Sequence, residues 1–85
     1  MSKRNKQYLN STGYKFVDIG SPNEFLKEIN KACNNNKVFG TIYLAKEGIN
    51  INLVGPEDSI FNVERFFENH KIFSGIHFKH TYSDK

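Results

Sequence analysis

The sequence predicts an α+β fold, a ferredoxin-like β-α-β-β-α-β sandwich in which a four-stranded antiparallel sheet carries two helices on one face. Three observations predict it. Two segments with apolar residues at helical period, one behind Ser21-Pro22 and one behind Gly55-Pro56, alternate with runs of strand character. A glycine-bearing turn, Lys46-Glu47-Gly48, joins the two middle runs into a hairpin. The right-handed crossover of each β-α-β unit then puts both helices on the same side of the sheet. The other face is left without helices.

The elements follow in order. Residues 1–13 are polar and basic and lack a period, so they read as a loose arm before a domain that spans 14–85. Tyr14 to Ile19 is aromatic and β-branched and stops at Gly20, which makes it the first strand. Ser21, Pro22 and Glu24 have the spacing of a capping box, with proline at the first helical position. Behind them Phe25, Leu26, Ile29, Ala32 and Cys33 form one apolar stripe, and Asn34-Asn35-Asn36 ends the helix. Val38 to Ala45 is the second strand, with Phe39, Thr41, Tyr43 and Ala45 on one side. Gly48 is expected to take the positive φ of a tight hairpin, and Ile49 to Leu53 alternates as a half-buried third strand. Ile60, Val63 and Phe67 share a face of the second helix, with Glu64, Arg65 and Glu68 pointing outward. Asn69-His70-Lys71 closes that helix, and Ile76 to Tyr82 is the last strand.

Length and composition bound what such a domain can be. With 85 residues it is a single domain at the small end of what folds alone, burying roughly 60–65% of its unfolded surface. An apolar content of 38% is low, but eight Phe and four Tyr raise the area each buried residue contributes. That aromatic content and a net charge of +3 argue against intrinsic disorder. No apolar run approaches the ~20 residues of a membrane span, and no apolar segment follows the basic start as a secretory signal would need. One cysteine excludes a disulfide framework or a cysteine-based zinc cluster. The class that remains is a small soluble domain of a reducing compartment, expected in the cytoplasm.

The chemistry-bearing residues are few. Cys33 lies on the helix stripe with no base near it in sequence and reads as packing. His77 and His80 are three apart on a strand and point to opposite faces, so with His70 they make no metal site. Glu47 is a turn carboxylate without the partner a general acid requires. The fold hosts acylphosphatases, but their phosphate cradle needs an arginine after the first strand, where this chain has Gly20-Ser21-Pro22. Copper-transfer domains need two cysteines in that loop. RNA-recognition domains stack bases on aromatics of the open sheet face, and Phe39 and Tyr43 alternate there, with Lys15 or Lys79 to add charge. Lys3, Arg4 and Lys6, with an isoelectric point near 9.1, suit contact with phosphates.

At residues 40–50 the segment Gly-Thr-Ile-Tyr-Leu-Ala-Lys-Glu-Gly-Ile-Asn resembles the hairpin signature of the rhodanese-domain tRNA uridine hydroxylases, whose N-terminal domain is acylphosphatase-like. Tyr14 to Val17 resembles that family's first strand, and Phe78 to Asp84 its last strand and the segment after it. Two positions depart: the family has a small residue and then Thr or Ser where Ile51 and Asn52 stand. The resemblance implies a longer parent that hydroxylates the wobble uridine of tRNA with molecular oxygen, its catalytic cysteine in a rhodanese domain that these residues do not include. It makes this chain a non-catalytic N-terminal accessory domain that helps bind tRNA or forms the interface to the rhodanese domain. No catalytic residue, metal or cofactor is expected of the domain itself. The interface candidates are Lys3, Arg4, Lys6, Phe39, Tyr43, Lys46, Glu47, Asn50 and Lys79. The alternative is a ferredoxin-like protein-interaction module that touches no nucleic acid.

Overall fold

The computed structural model of the chain describes residues 8–83. The elements are β1 (Tyr8–Phe16), α1 (Pro22–Asn36), β2 (Phe39–Ala45), β3 (Gly48–Gly55), α2 (Glu57–Glu68) and β4 (His77–Ser83). The sheet runs β2-β3-β1-β4 and every neighbouring pair is antiparallel. Both helices pack on one face, as the crossover rule requires. The predicted ferredoxin-like α+β sandwich is the observed fold.

The first strand differs most from the sequence reading. It begins at Tyr8, so residues 8–13 are not arm but two thirds of a central strand; residues 1–7 lie outside the described ones. Its inward side reads Leu9, Ser11, Gly13, Lys15, a series with one apolar member, which hides the alternation. Each of the four has a use. Leu9 is fully buried in the core. Ser11 Oγ donates a 2.6 Å hydrogen bond to Glu64 Oε2. Gly13 leaves room for the last strand, since a Cβ there would sit 2.8 Å from Ile76 Cγ2. Lys15 Nζ donates to the carbonyl oxygens of Ile72 at 2.9 Å and Ser74 at 2.5 Å. Lys15 is thereby withdrawn from the open face, where the sequence reading offered its charge. The strand also stops at Phe16, three residues early. Val17 and Ile19 instead give their N–H groups to the carbonyls of Glu47 and Lys46, both at 2.9 Å.

Glu64 corrects a second expectation. It points inward, 7% exposed, and its Oε2 accepts from Ser11 and lies 2.5 Å from His80 Nε2. A carboxylate can stand beneath a helix only where its oxygens find donors, and Ser11 and His80 supply them from adjacent strands. Around this polar contact close Ile29, Ile51, Ile60, Val63, Phe67 and Phe73, all 1% exposed or less. The second helix supplies three of these; the first supplies Ile29, with Phe25 and Cys33 half-covered.

The helix ends are plainer than the sequence suggested. Ser21 is the N-cap of α1 without a side-chain cap bond, so the capping box does not form; the link is Glu24 N–H to the Ser21 carbonyl at 3.1 Å. Proline at the next position holds Ser21 extended, and its exposed hydroxyl is open to water. Lys37, not an asparagine, takes the left-handed position that stops the helix (φ 57°). The first helix is tied to the second by Asn62 Nδ2 donating to Asn36 Oδ1 at 3.2 Å, and to the segment after it by His70 with Glu28 at 3.3 Å. The Ile72 N–H donates to His70 Nδ1, so the proton sits on Nε2, which faces the Glu28 carboxylate.

The hairpin places its positive φ on Gly48, as expected (φ 158°). Lys37 is the one non-glycine with positive φ among the described residues, so Lys46 and Glu47 turn with negative φ. Gly48 is required by crowding: a Cβ would sit 2.3 Å from the Lys15 carbonyl oxygen. Gly40 (φ 140°) faces Asn52 in the same way, with a Cβ 2.0 Å from its carbonyl oxygen. We therefore expect Gly40→Ala and Gly48→Ala each to lower stability by about 2 kcal/mol or more. Lys46→Ala, beside them in the exposed turn, should stay within about 0.5 kcal/mol of the parent in the same urea titration. Glu64→Ala should cost about 2 kcal/mol, because it strands the Ser11 hydroxyl inside the core. The double change Ser11→Ala with Glu64→Leu should cost less than Glu64→Ala alone, and equal losses would contradict this account.

Candidate nucleic-acid interface

The face opposite the helices is set by parity. With Leu9, Ser11, Ile49, Ile51 and Leu53 inward, the residues between them point out. Pairing across the sheet sorts the outward residues into rows. Tyr43, Asn50, Tyr14 and His77 lie side by side, one from each strand. The next row is Thr41, Asn52, Thr12 and Lys79, and the one beyond it is Phe39, Val54, Asn10 and Thr81. Large rings stand in solvent here: Phe16 is 82% exposed, Phe39 72%, Tyr43 68% and Tyr14 61%. Phe16 packs edge-on against Tyr14 with ring centroids 5.6 Å apart, which restrains that pair.

Of the candidates named from sequence, Phe39, Tyr43, Asn50 and Lys79 share this face. Lys46 and Glu47 occupy the exposed turn at its end, and their backbone carbonyls are the ones held by Ile19 and Val17. The turn that carries the recognisable segment is therefore fastened to the chain leaving β1. Lys3, Arg4 and Lys6 fall outside the described residues. Ile51, the bulky residue at a position the resembled family keeps small, points into the core at 1% exposure and adds no bulk to the open face. Asn52, after it, points out.

Sequence reasoning missed Tyr14, Phe16, Asn52 and His77 as members of the face. Asn52 was within reach, since counting by twos from Tyr43 through the hairpin leads to Asn50 and then Asn52. The others depend on the register of β1, which the misplaced start of that strand obscured.

The loop after β1 already uses one of the amides that a phosphate cradle would need. The Gly20 N–H donates to Asp18 Oδ1 at 3.1 Å, so an amide there is already held by a carboxylate. Cys33 sits on the opposite side of the molecule, on α1, and burial pushes its thiol up, away from the reactive thiolate. Among the described residues no three of His, Cys, Asp or Glu converge where a metal ion could be held, and no helix is long and apolar enough to cross a membrane. What the open face provides is ring faces, amides and a lysine. That set suits recognition of flat, polar-edged groups more than bond-making.

Comparison with known proteins agrees with the fold. Proteins named tRNA uridine(34) hydroxylase are similar to this chain. The one from Cupriavidus pinatubonensis is 35% identical over 92% of this chain and 28% of its own length. That from Prochlorococcus marinus is 35% identical over 85% of this chain and 23% of its own. One from Wolbachia pipientis is 36% identical over 69% of this chain and 22% of its own. The chain thus spans about a quarter of the length of the curated relatives it matches. The family described as the UPF0176 acylphosphatase like domain matches residues 8–85, from the first residue of β1 onward, and it is to this family that the chain belongs.

Proposed function

We propose that this chain is the N-terminal accessory module of a tRNA wobble-uridine hydroxylase, without a catalytic group of its own, and that it helps hold tRNA or builds the interface to a rhodanese domain. The observation that carries the reading is the open sheet face. A chain similar to tRNA uridine(34) hydroxylases presents exposed rings and amides there, while its one cysteine is half-covered on the far side. The parent would be a cytoplasmic oxidoreductase that uses molecular oxygen, its chemistry located in the rhodanese domain.

The tRNA-holding version has a direct test. Lys3, Arg4, Lys6 and Lys79 together would neutralise about four phosphates. Affinity of the chain for tRNA should then fall roughly 50- to 150-fold between 50 and 200 mM salt. Replacing Lys3, Arg4 and Lys6 by alanine should lower the slope of log affinity against log salt by about 2 to 3. An unchanged slope would remove the arm from the contact. The interaction-module reading is favoured by the exposure of Phe39 and Tyr43, which a docked domain would cover. It expects amide shifts across β2 and β3 when the rhodanese domain is added in trans, and silence of that face would end it.

A further inference from the structure

We infer that the open sheet face binds single-stranded RNA, with unpaired bases stacked on Tyr43 and Tyr14 and their edges met by the amides of Asn50 and Asn52. The inference rests on the tRNA-contact reading for the choice of RNA, and on four features of the face for the rest.

The first is the pair of amides. Asn50 and Asn52 stand two apart on β3, a central strand; both point outward, and among the described residues neither side-chain amide is engaged in a hydrogen bond, the backbone groups alone serving the sheet. Asparagine is a poor strand former, and an outward central-strand position asks for nothing that threonine would not supply better. Two such residues in series put free donors and acceptors in the middle of a sheet. Bases carry both kinds of group on their edges.

The second is spacing. Tyr43 and Tyr14 flank Asn50 directly, one on each side. Neighbouring strands are about 4.8 Å apart, so the two tyrosines are anchored about 10 Å from each other with the amide between them. One base can lie on each ring while Asn50 reaches the edge of either. The next row, about 6.8 Å along the strands, repeats the arrangement with hydroxyls: Asn52 stands between Thr41 and Thr12. Shallow depressions mark both places, one bordered by Tyr14, Phe16, Tyr43 and Asn50, the other by Thr12, Thr41 and Asn52.

Charge is the third. The outward strand positions include Lys79 and His77 but no Asp or Glu; Glu47 in the turn is the carboxylate at the rim, with Lys46 beside it. Such a surface admits a polyanion. The fourth feature separates RNA from a protein partner. A docked domain is best served by a continuous apolar centre with a polar rim. Here the centre is the polar row of Thr41, Asn52, Thr12 and Lys79, and the rings lie on both sides of it.

The experiment uses the 85-residue chain, labelled with nitrogen-15, and a short uridine oligoribonucleotide that has no secondary structure. Amides of Thr12, Tyr14, Tyr43, Asn50, Asn52 and Lys79 should shift together on titration. Tyr43→Ala and Tyr14→Ala should each weaken binding roughly 5-fold or more, whereas Tyr43→Phe, which keeps the ring, should bind within about 2-fold of the parent. Both tyrosines are exposed, so the alanine variants should keep the parent urea midpoint, and the binding loss is then read on folded protein. Titration with folded tRNA forms the second arm. If tRNA binds but neither tyrosine variant weakens it and the face does not shift, base stacking is overturned while tRNA contact through the arm survives. If the oligonucleotide fails to bind at low salt, the site is overturned. If the face answers only to an added rhodanese domain, it is a domain interface and the RNA assignment is wrong.

Discussion

Everything in this molecule depends on the register of β1 against β3, the two central strands. The pairing runs from Leu9 opposite Gly55 to Phe16 opposite Gly48, and because side chains alternate faces, that one alignment decides what is core and what is surface. It sends Ile49, Ile51 and Leu53 under the helices and leaves Asn50 and Asn52 outside. A slip by one residue would put asparagines against Phe67 and strand three aliphatic side chains in water. Two contacts fix the alignment from outside the ladder. Ser11 meets Glu64 of the second helix, and Lys15 meets the carbonyls before β4. Both are polar and both arise from inward positions of β1, where hydrophobic residues would have been interchangeable between registers.

That choice explains what could be read from the sequence and what could not. The second helix, the hairpin and the third strand follow the ordinary rules of period and were legible at once. The start of β1 was not, because Ser11, Gly13 and Lys15 satisfy the interior by hydrogen bonding and by smallness, and no apolar pattern records that. Glu64 was misplaced for the same reason seen from the other side: its partners are 53 residues back and 16 residues on, and sequence shows no such pairing. The candidate face was half legible. Phe39, Tyr43 and Asn50 follow from alternation within one hairpin, while Tyr14, Phe16 and His77 join them through strand pairings at long range. Local chemistry was visible; assembly was not.

The recognisable hairpin gains a physical meaning from its attachments. Its turn is not a free loop: it is held by the N–H groups of Val17 and Ile19 and closed over the Lys15 carbonyl at Gly48. Rigid placement of Lys46, Glu47 and the rings behind them is what a recognition surface needs, since loosely held side chains lose entropy on every contact they make. The core therefore serves the open face indirectly, by leaving the hairpin little room to move.

The polar row that crosses that face also bears on how copies of the chain behave toward one another. Large rings in solvent would ordinarily invite self-association once they merge into one apolar patch. Thr41, Asn52, Thr12 and Lys79 run between Phe39 and the group formed by Tyr43, Tyr14 and Phe16, so the rings never merge. Hydroxyls, an amide and an ammonium group keep the middle of the sheet polar. The exposed aromatics therefore stand as separated groups and not as one apolar sheet, and the strand positions that divide them are the ones that give the face its chemical character.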